Sequence, residues 1–393
     1  MAAGEAGPGV RKAMEIVTAL GRIYGAERLV SVESVQVAGV SYRNLGEAGL
    51  EFLSDWADQG AEVRVPTTLN PAGMDLAAWR ELGFSALFAE HQLAVIDAFE
   101  RLGVRPTCTC TPYLVGNVPE TGQHVAWAES SAVSYANAVL GARTNREGGP
   151  SALAAAITGR TAAYGLHLDP NRRAGLVVDV HCPLKGLADF GALGYLVGRV
   201  ARNRIPYFRG LTVPPADEAL KVLGAAMAAS GAVALYHVAG VTPEADRADV
   251  LLPDHQTLVI DDLAPAYQAL NGRAREIDLA WFGCPHAGLP ELREIRRLLD
   301  GRPVRSALWI TLARQVRQEA GRQGVLEPLV ASGARLVADM CAVVAPMEAL
   351  GFRTVATPSA KGATYLPSHA GMVVRYGTIE QCVEAAVSGC WPA

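Results

Sequence analysis

Three cysteines occupy the same kind of position, and this pattern constrains the fold more than any other feature of the sequence. Cys110, Cys284 and Cys341 each follow a short apolar run typical of a buried parallel strand, and each precedes a turn into a helix or loop. In open α/β sheets, ligands bind at the carboxyl ends of the strands. We therefore expect the three thiols to meet at such an edge, where they could hold an iron ion or an iron–sulfur centre with one open coordination position. The alternative for each cysteine taken alone is a buried core thiol.

Strand-like and helical patterns alternate along the rest of the chain, which predicts βαβ units and an α/β fold with mostly parallel sheets. Residues 1–10 are expected to be a disordered start, and residues 11–393 contain no clear linker. An internal division is expected near residues 200–215, because the segment IPYFRGLTVPP is rich in proline and glycine.

Composition excludes several classes of protein. The net charge is −4 and no Lys/Arg cluster is interleaved with aromatic residues, so we expect no nucleic-acid partner. The most apolar stretch, Val222 to Tyr236, is shorter than the ~20 residues of a membrane span, and the start of the chain lacks the pattern of a secretory signal. Seven irregularly spaced cysteines argue against a disulfide framework and for a reducing compartment. We therefore expect a cytoplasmic protein without membrane contact.

The motifs of serine hydrolases, dinucleotide-binding enzymes and P-loop NTPases do not occur in the sequence.

The segment PTTLNP, residues 66–71, is unusually rich in small hydrogen-bonding side chains. It places Thr67, Thr68 and Asn70 just after a strand predicted at Glu62–Val65. Such side chains often hydrogen-bond only their own turn. Their density directly after a buried strand favours a ligand site instead.

A second polar stretch surrounds two predicted helices. Glu129 and Ser130 begin the first helix, where such side chains either cap the N-terminus or bind a substrate. Downstream, the segment ARTNREGG leads into a helix expected to start near Pro150. Arginines beside backbone amides at a helix N-terminus suit a carboxylate or phosphate, and an exposed basic loop is the alternative. The candidate residues of this segment are Arg143, Thr144, Asn145 and Arg146.

Four histidines lie near predicted turns: His124, His167, His181 and His286. None has the spacing of a metal-binding pair, which favours structural roles for all four. His286 follows Cys284 by two residues, a position from which it could hydrogen-bond near a bound metal.

Long stretches of the chain together resemble the large subunit of the aconitase X family, over about residues 10 to 390. They include VAGVSYRNLGEAGLEFL, VPTTLNPAGMD, CTPYLVGN, HVAWAESSAVSYANAVLGARTNREGGPSALAAAITG, YGLHLDPNR, YHVAGVTPEA and FGCPHAGLPEL. The resemblance implies an aconitase-like multi-layer α/β fold for residues 11–393 and a hydro-lyase activity that uses iron or an iron–sulfur cluster. It also implies that Cys110, Cys284 and Cys341 are the metal ligands. The other four cysteines would then not be ligands: Cys108, Cys182, Cys382 and Cys390.

Members of this family dehydrate either cis-3-hydroxy-L-proline or mevalonate 5-phosphate, and the Ala- and Arg-rich composition of this chain favours the first substrate. The resemblance further implies a separate small swivelling-domain subunit that carries a catalytic serine, so no catalytic residue is assigned within this chain. The residues expected to bind the hydroxy acid are Ser41, Thr67, Thr68, Asn70, Glu129, Ser130, Arg143, Thr144, Asn145, Arg146 and Lys361.

Several positions depart from the family pattern. Gln36 stands where relatives usually have a histidine, Pro358 and Ala360 stand where they often have an asparagine and a glycine, and Met340 stands where a threonine is usual. The alternative enzyme is a mevalonate 5-phosphate dehydratase large subunit. Outside enzymes, the alternatives are a non-catalytic iron–sulfur protein and a zinc-binding protein that uses the same thiolates.

Overall fold

A computed structural model describes residues 1, 3–211 and 215–392. Within these residues the strands form three parallel β-sheets and one two-stranded antiparallel ribbon, with helices packed around them. The expected α/β architecture with mostly parallel sheets is therefore confirmed. Every helix in this part of the chain is too short or too polar to cross a membrane.

The first sheet comes from the N-terminal part of the chain and has three short, buried, parallel strands. In spatial order they are β3 (Thr67–Leu69), β2 (Val35–Val37) and β4 (Ala126–Trp127). The ribbon beside this sheet pairs β1 (Leu29–Ser31) with β5 (Arg160–Ala162). The helices of this region are α1 (Pro8–Ile23), α2 (Tyr42–Asp58), α3 (Ala86–Arg101), α4 (Ser130–Ala138) and α5 (Gly149–Thr158). Helix α1 begins at Pro8, within the segment that the sequence marks as disordered.

Strand β3 lies farther along the chain than the sequence pattern predicts. The predicted strand at Glu62–Val65 is an extended loop, and Thr67–Leu69 pairs with β2 instead. The physical reason is that β-branched threonines and a fully buried Leu69 suit a buried strand, whereas the charged residues of the loop stay in solvent. Thr67 and Thr68 therefore lie within a strand rather than in the turn after it.

The second sheet has four parallel strands and is covered by two closely packed helices. In spatial order its strands are β8 (His237–Val238), β7 (Pro206–Arg209), β6 (Ala174–Val180) and β9 (Leu251–Ile260). Its helices are α6 (Leu187–Ala201), α7 (Asp217–Gly231) and α8 (Ala264–Leu270). Helices α6 and α7 touch backbone to backbone, because a Cβ on Gly231 would lie 1.8 Å from the carbonyl oxygen of Gly198. The division expected near residues 200–215 falls partly on residues 212–214, which lie outside the described residues, and it stays a prediction.

The third sheet has five parallel strands with helices on both faces. In spatial order its strands are β12 (Ala334–Ala338), β11 (Ala307–Leu312), β10 (Leu279–Phe282), β13 (Thr354–Thr357) and β14 (Val373–Tyr376). Its helices are α9 (Leu289–Leu299), α10 (Arg314–Arg322), α11 (Leu326–Ala331), α12 (Ala360–Ala370) and α13 (Ile379–Ser388). The chain runs outward in one direction from β10 to β12 and in the other from β13 to β14. The direction reverses between β10 and β13, which is where open α/β sheets form their ligand crevice.

The first and third sheets are joined where their strands end. The segment after β3 pairs in parallel with the segment after β12, through Ala72 and Met340. The Ala72 N–H donates to the carbonyl of Asp339 at 2.7 Å, and the Cys341 N–H donates to the carbonyl of Ala72 at 3.4 Å. This link brings the carboxyl ends of strands from two sheets to the same place.

Candidate active site

A cavity of about 230 Å³ lies between the ends of the first and third sheets. It is lined by Asn70, Pro71, Cys110, Glu129, Ser130, Arg146, Cys284, Cys341, Val343, Val344, Lys361, Tyr365 and His369. Asn70 follows β3, Glu129 follows β4, Cys284 follows β10 and Lys361 follows β13. Strand ends from both sheets therefore supply the walls, and the crevice between β10 and β13 opens into the cavity.

The three cysteines singled out by the sequence pattern all line this cavity, and none forms a disulfide. The hydrogen bond from the Cys341 thiol lowers the pKa of Cys284 against the opposing effect of burial, and the same contact raises the pKa of Cys341. Cys110 accepts a hydrogen bond from the backbone N–H of His286 at 3.2 Å, although burial still raises the pKa of this thiol to about 12. Cys284 and Cys341 thus lie near one another, and Cys110 lines the same cavity from the loop that runs beside β3.

The donor set of the cavity fits iron–sulfur chemistry. Among the described residues, no group of three or more His, Cys, Asp and Glu side chains is arranged to hold a single ion. Three cysteine thiols on one cavity are nevertheless the ligand type that iron–sulfur clusters use, and a cluster spreads its ligands over several irons rather than gathering them at one. Three thiols on one cavity are therefore compatible with an iron–sulfur centre.

A buried ion pair faces the thiols across the cavity. Lys361 forms an ion pair with Glu129, and its ammonium also donates to the hydroxyl of Ser131 at 3.1 Å. The Asn70 amide donates to the other oxygen of Glu129 at 2.8 Å. Burial opposes ionisation of Glu129, but the charge of Lys361 and the hydrogen bonds of Lys361, Asn70 and Ser131 outweigh it and lower the pKa of the carboxyl to about 2. Burial likewise disfavours the charged form of Lys361, but the charge of Glu129 raises its pKa. Both groups are therefore charged at neutral pH.

Of the ARTNREGG segment, only Arg146 lines this cavity. Arg143 forms an ion pair with Asp169 at 2.5 Å, away from the thiols. Thr144 and Asn145 are buried and bond to the backbone: the Thr144 hydroxyl accepts from the Trp127 N–H at 3.1 Å, and Asn145 bonds to residues 164 and 166. The two arginines diverge because side chains three residues apart in an extended segment point to opposite sides.

Three further predicted residues lie outside the thiol cavity. Thr67 and Thr68 line a separate cavity of about 220 Å³, where the Thr68 hydroxyl accepts from the Asn117 amide at 3.2 Å. The Ser41 hydroxyl donates to the carbonyl of Val344 at 2.7 Å. Because Val344 lines the thiol cavity, Ser41 supports its wall from behind.

The sequence pattern did not indicate Tyr365 and His369, which line the cavity from α12. They follow Lys361 at intervals of four residues, so all three lie on one face of the helix. That spacing is the signal in the sequence that could have identified them.

Gln36 and Ala360, two of the departures from the family pattern, are both buried. The side-chain amide of Gln36 holds the segment before Cys110, because it donates to the carbonyl of Thr109 at 2.9 Å. Ala360 is the buried first residue of α12.

Comparison with known proteins identifies the family. Three family models match consecutive parts of the chain: the aconitase X first domain over residues 1–170, the second domain over residues 174–266 and the third domain over residues 277–388. The chain belongs to the aconitase X family. As a member of this family it is a hydro-lyase, because its named relatives are dehydratases.

Two relatives and one solved structure in the aconitase X family illustrate the similarity. The phosphomevalonate dehydratase large subunit of Methanothermobacter thermautotrophicus is 52% identical over 95% of this chain and 93% of its own length. The cis-3-hydroxy-L-proline dehydratase of Pseudomonas aeruginosa is 40% identical and covers the whole of this chain, which spans 69% of that protein. The crystal structure of Thermococcus kodakaraensis aconitase X in its holo-form superposes with a TM-score of 0.92 at 46% identity, covering 98% of this chain and 97% of that one.

These identities correct one expectation from composition. The Ala- and Arg-rich composition favours cis-3-hydroxy-L-proline as the substrate, but the aconitase X relatives with higher identity over nearly their whole length are phosphomevalonate dehydratase large subunits. Bulk composition reports mainly the base content of a genome, whereas identity along the whole chain includes the residues around the site. The comparisons therefore support the alternative, a mevalonate 5-phosphate dehydratase large subunit, better than a dehydratase of cis-3-hydroxy-L-proline.

Proposed function

We propose that this chain is the large subunit of a phosphomevalonate dehydratase that removes water from mevalonate 5-phosphate. In this proposal Cys110, Cys284 and Cys341 hold an iron–sulfur centre. The proposal rests on one observation: three thiols share a single cavity with the Glu129–Lys361 ion pair and the exposed Arg146. The identity to phosphomevalonate dehydratase large subunits supports the choice of substrate.

The reaction needs a leaving hydroxide and a proton taken from the carbon beside a carboxylate. When bound, an iron–sulfur centre with an open position supplies a Lewis acid for the leaving hydroxyl. The side chains of the chain itself bind and orient the substrate. Arg146 is exposed and lines the cavity, so its guanidinium can make charge-assisted hydrogen bonds to an anionic end of the substrate.

Lys361 has one donor left for the substrate. Its ammonium carries three protons, and in the structure two of them point to Glu129 and Ser131. The third can donate to a substrate oxygen in the cavity. Glu129 holds this ammonium in place, and a carboxylate whose pKa is about 2 is a weak base at neutral pH. We therefore assign Glu129 to orientation of Lys361 and not to proton abstraction.

The proton-abstracting group is assigned to a small swivelling-domain subunit. Arg146 and His369 both line the cavity and are exposed, so the cavity reaches the surface of the chain on that side. A second subunit seated there would cover the thiols and exclude water from the reaction. The name "large subunit" of the relatives supports a partner of this kind.

The test is co-expression of the chain with a small-subunit gene, anaerobic purification and a parallel assay of mevalonate 5-phosphate and cis-3-hydroxy-L-proline. We expect turnover of mevalonate 5-phosphate with the higher kcat/KM, and visible absorption typical of iron–thiolate centres. Turnover of cis-3-hydroxy-L-proline alone would reject the substrate. A colourless protein that contains zinc would reject the iron–sulfur centre, since zinc bound to the same thiolates absorbs no visible light.

A further inference from the structure

We infer that His286 is a positioning residue that holds the three cysteine-bearing segments in one arrangement. This inference rests on the proposed role of Cys110, Cys284 and Cys341 as metal ligands. His286 lies two residues after Cys284 and is fully buried, so every polar atom it carries must be paired within the protein.

The backbone and ring of His286 contact the two other cysteine segments directly. Its backbone N–H donates to the Cys110 sulfur at 3.2 Å. One ring nitrogen, Nδ1, lies 3.0 Å from the hydroxyl of Thr109, the residue before Cys110. The other, Nε2, lies 2.8 Å from the carbonyl oxygen of Met340, the residue before Cys341. One side chain therefore connects segments that are far apart in the sequence.

The partners of the ring determine where its proton resides. A carbonyl oxygen only accepts hydrogen bonds, so Nε2 carries the proton and donates it to Met340. In the neutral ring Nδ1 is then an acceptor, and the Thr109 hydroxyl donates to it. The Thr109 oxygen in turn accepts from the Thr111 N–H at 3.2 Å. The Thr111 hydroxyl lies 3.0 Å from the same oxygen and donates to it, because the Thr109 proton is used for the ring. Both ring contacts are satisfied by a single tautomer and a single rotamer.

A buried lysine from the second sheet's helix braces the same residue. Lys221 in α7 donates to the carbonyl of His286 at 3.4 Å and pairs with Glu218 at 2.5 Å. Only 4% of Lys221 is exposed. Residues near all three sheets therefore contact His286, and rotation of its ring would break both ring hydrogen bonds together.

The experiment separates the two ring contacts in the full chain, co-purified with its small subunit and reconstituted anaerobically with iron and sulfide. His286→Asn keeps an acceptor near the Nδ1 position, and His286→Gln keeps a donor near the Nε2 position. The matched control is His237→Gln, because His237 is equally buried and its Nε2 bonds to the carbonyl of Arg172 at 2.9 Å, away from the thiols. We expect a chelator to remove iron from both His286 variants at about 10–100-fold lower concentration, the usual effect of losing a partner of a metal ligand. His237→Gln should match the wild type.

A second readout uses the iron-free protein and does not depend on turnover. Phenylarsine oxide condenses with two neighbouring thiols and releases water, so its affinity reports how closely the cysteines are held. We expect weaker capture in both His286 variants and unchanged capture in His237→Gln. The wild type could retain no iron and still capture the arsenical more tightly than the His286 variants do. That result would reject the proposed iron–sulfur centre and support the positioning role of His286.

The opposite pattern overturns the inference. Equal iron retention and equal arsenical capture in the wild type and both His286 variants would show that His286 does not position the thiols, whether or not iron is bound. If neither variant folds, as judged by circular dichroism, Thr109→Val serves instead. It removes the hydroxyl that donates to Nδ1 with little change in shape, and unchanged iron retention in this variant would equally reject the role.

Discussion

Glu129 and Lys361 form a buried ion pair between the end of the first sheet and the beginning of helix α12 beside the third. Their side chains are 13% and 10% exposed, and they come from positions 232 residues apart in the sequence. The pair therefore closes one wall of the cavity and links the two sheets that build it. We therefore expect both the stability of the chain and the geometry of the site to depend on this pair.

Lys361→Met should destabilise the folded chain by about 3–5 kcal/mol, because it leaves the carboxylate of Glu129 buried without its partner. The double variant Glu129→Gln/Lys361→Met removes both charges and should lose less. Urea unfolding monitored by circular dichroism measures the difference. Lys185→Met, at an exposed position, is the control and should change stability by no more than about 0.5 kcal/mol. Equal losses in the single and double variants would contradict the argument.

Arg146→Ala should raise KM for mevalonate 5-phosphate by about 10–100-fold, which corresponds to the loss of a charge-assisted hydrogen bond of about 1.5–3 kcal/mol. Arg143→Ala is the matched control from the same segment, because its guanidinium pairs with Asp169 and lies outside the cavity. Steady-state kinetics of the chain co-expressed with its proposed small subunit measures both. A larger effect on KM from Arg143→Ala than from Arg146→Ala would reassign the anion-binding role.

Cys110→Ser should abolish iron retention and visible absorption after anaerobic reconstitution, because a serine hydroxyl is a poor substitute for a thiolate ligand of iron. Cys108→Ser is the matched control: Cys108 is only two residues away and fully buried, but it does not line the cavity. Iron per chain and the visible spectrum measure the outcome. Retention of iron by Cys110→Ser together with its loss in Cys108→Ser would exchange the roles of the two cysteines.

The contribution of Glu291 to stability should fall as the pH rises from about 4.5 to about 7. Burial raises the pKa of this carboxyl to about 7 from its ordinary value of 4.5, although the charge of Lys221 opposes the shift. Over this interval the unfolded chain has lost the proton that the folded chain still binds, so the folded state becomes relatively less stable. Glu291→Gln should remove this contribution.

Urea unfolding of the wild type and of Glu291→Gln at pH 5 and pH 8 tests the contribution of Glu291. The exposed Glu90→Gln serves as the control and should show the pH dependence of the wild type. The same pH dependence in all three proteins would show that Glu291 does not take part.

Local patterns in the sequence predicted several elements correctly. The apolar run at Leu279–Phe282 and the amphipathic segment at Leu289–Leu299 coincide with β10 and α9. These elements depend on the periodicity of a few neighbouring residues, which the sequence displays directly. Cys284 and Cys341 follow strands β10 and β12 as predicted, whereas Cys110 follows a loop that runs beside β3 and not a strand of its own. All three nevertheless line one cavity. Their role as metal ligands stays a prediction.

The direction of individual side chains could not be predicted in the same way. Thr67 and Thr68 belong to a strand and face a second cavity, and Arg143 turns away from the site while Arg146 turns toward it. A shift of a strand by one residue, or an odd spacing between two residues of an extended segment, reverses which side a residue faces. The sequence pattern does not resolve shifts of that size.

The sequence by itself determined the parallel α/β fold class, the position of Cys284 and Cys341 after strands, and the family to which the chain belongs. Only the tertiary structure decided which polar residues join those cysteines. The pairing of Glu129 with Lys361 and the contacts of His286 with the Cys110 and Cys341 segments join residues that are 54 to 232 positions apart. Such contacts depend on how separate sheets pack against one another, which results from burial over the whole chain and leaves no local periodic signal.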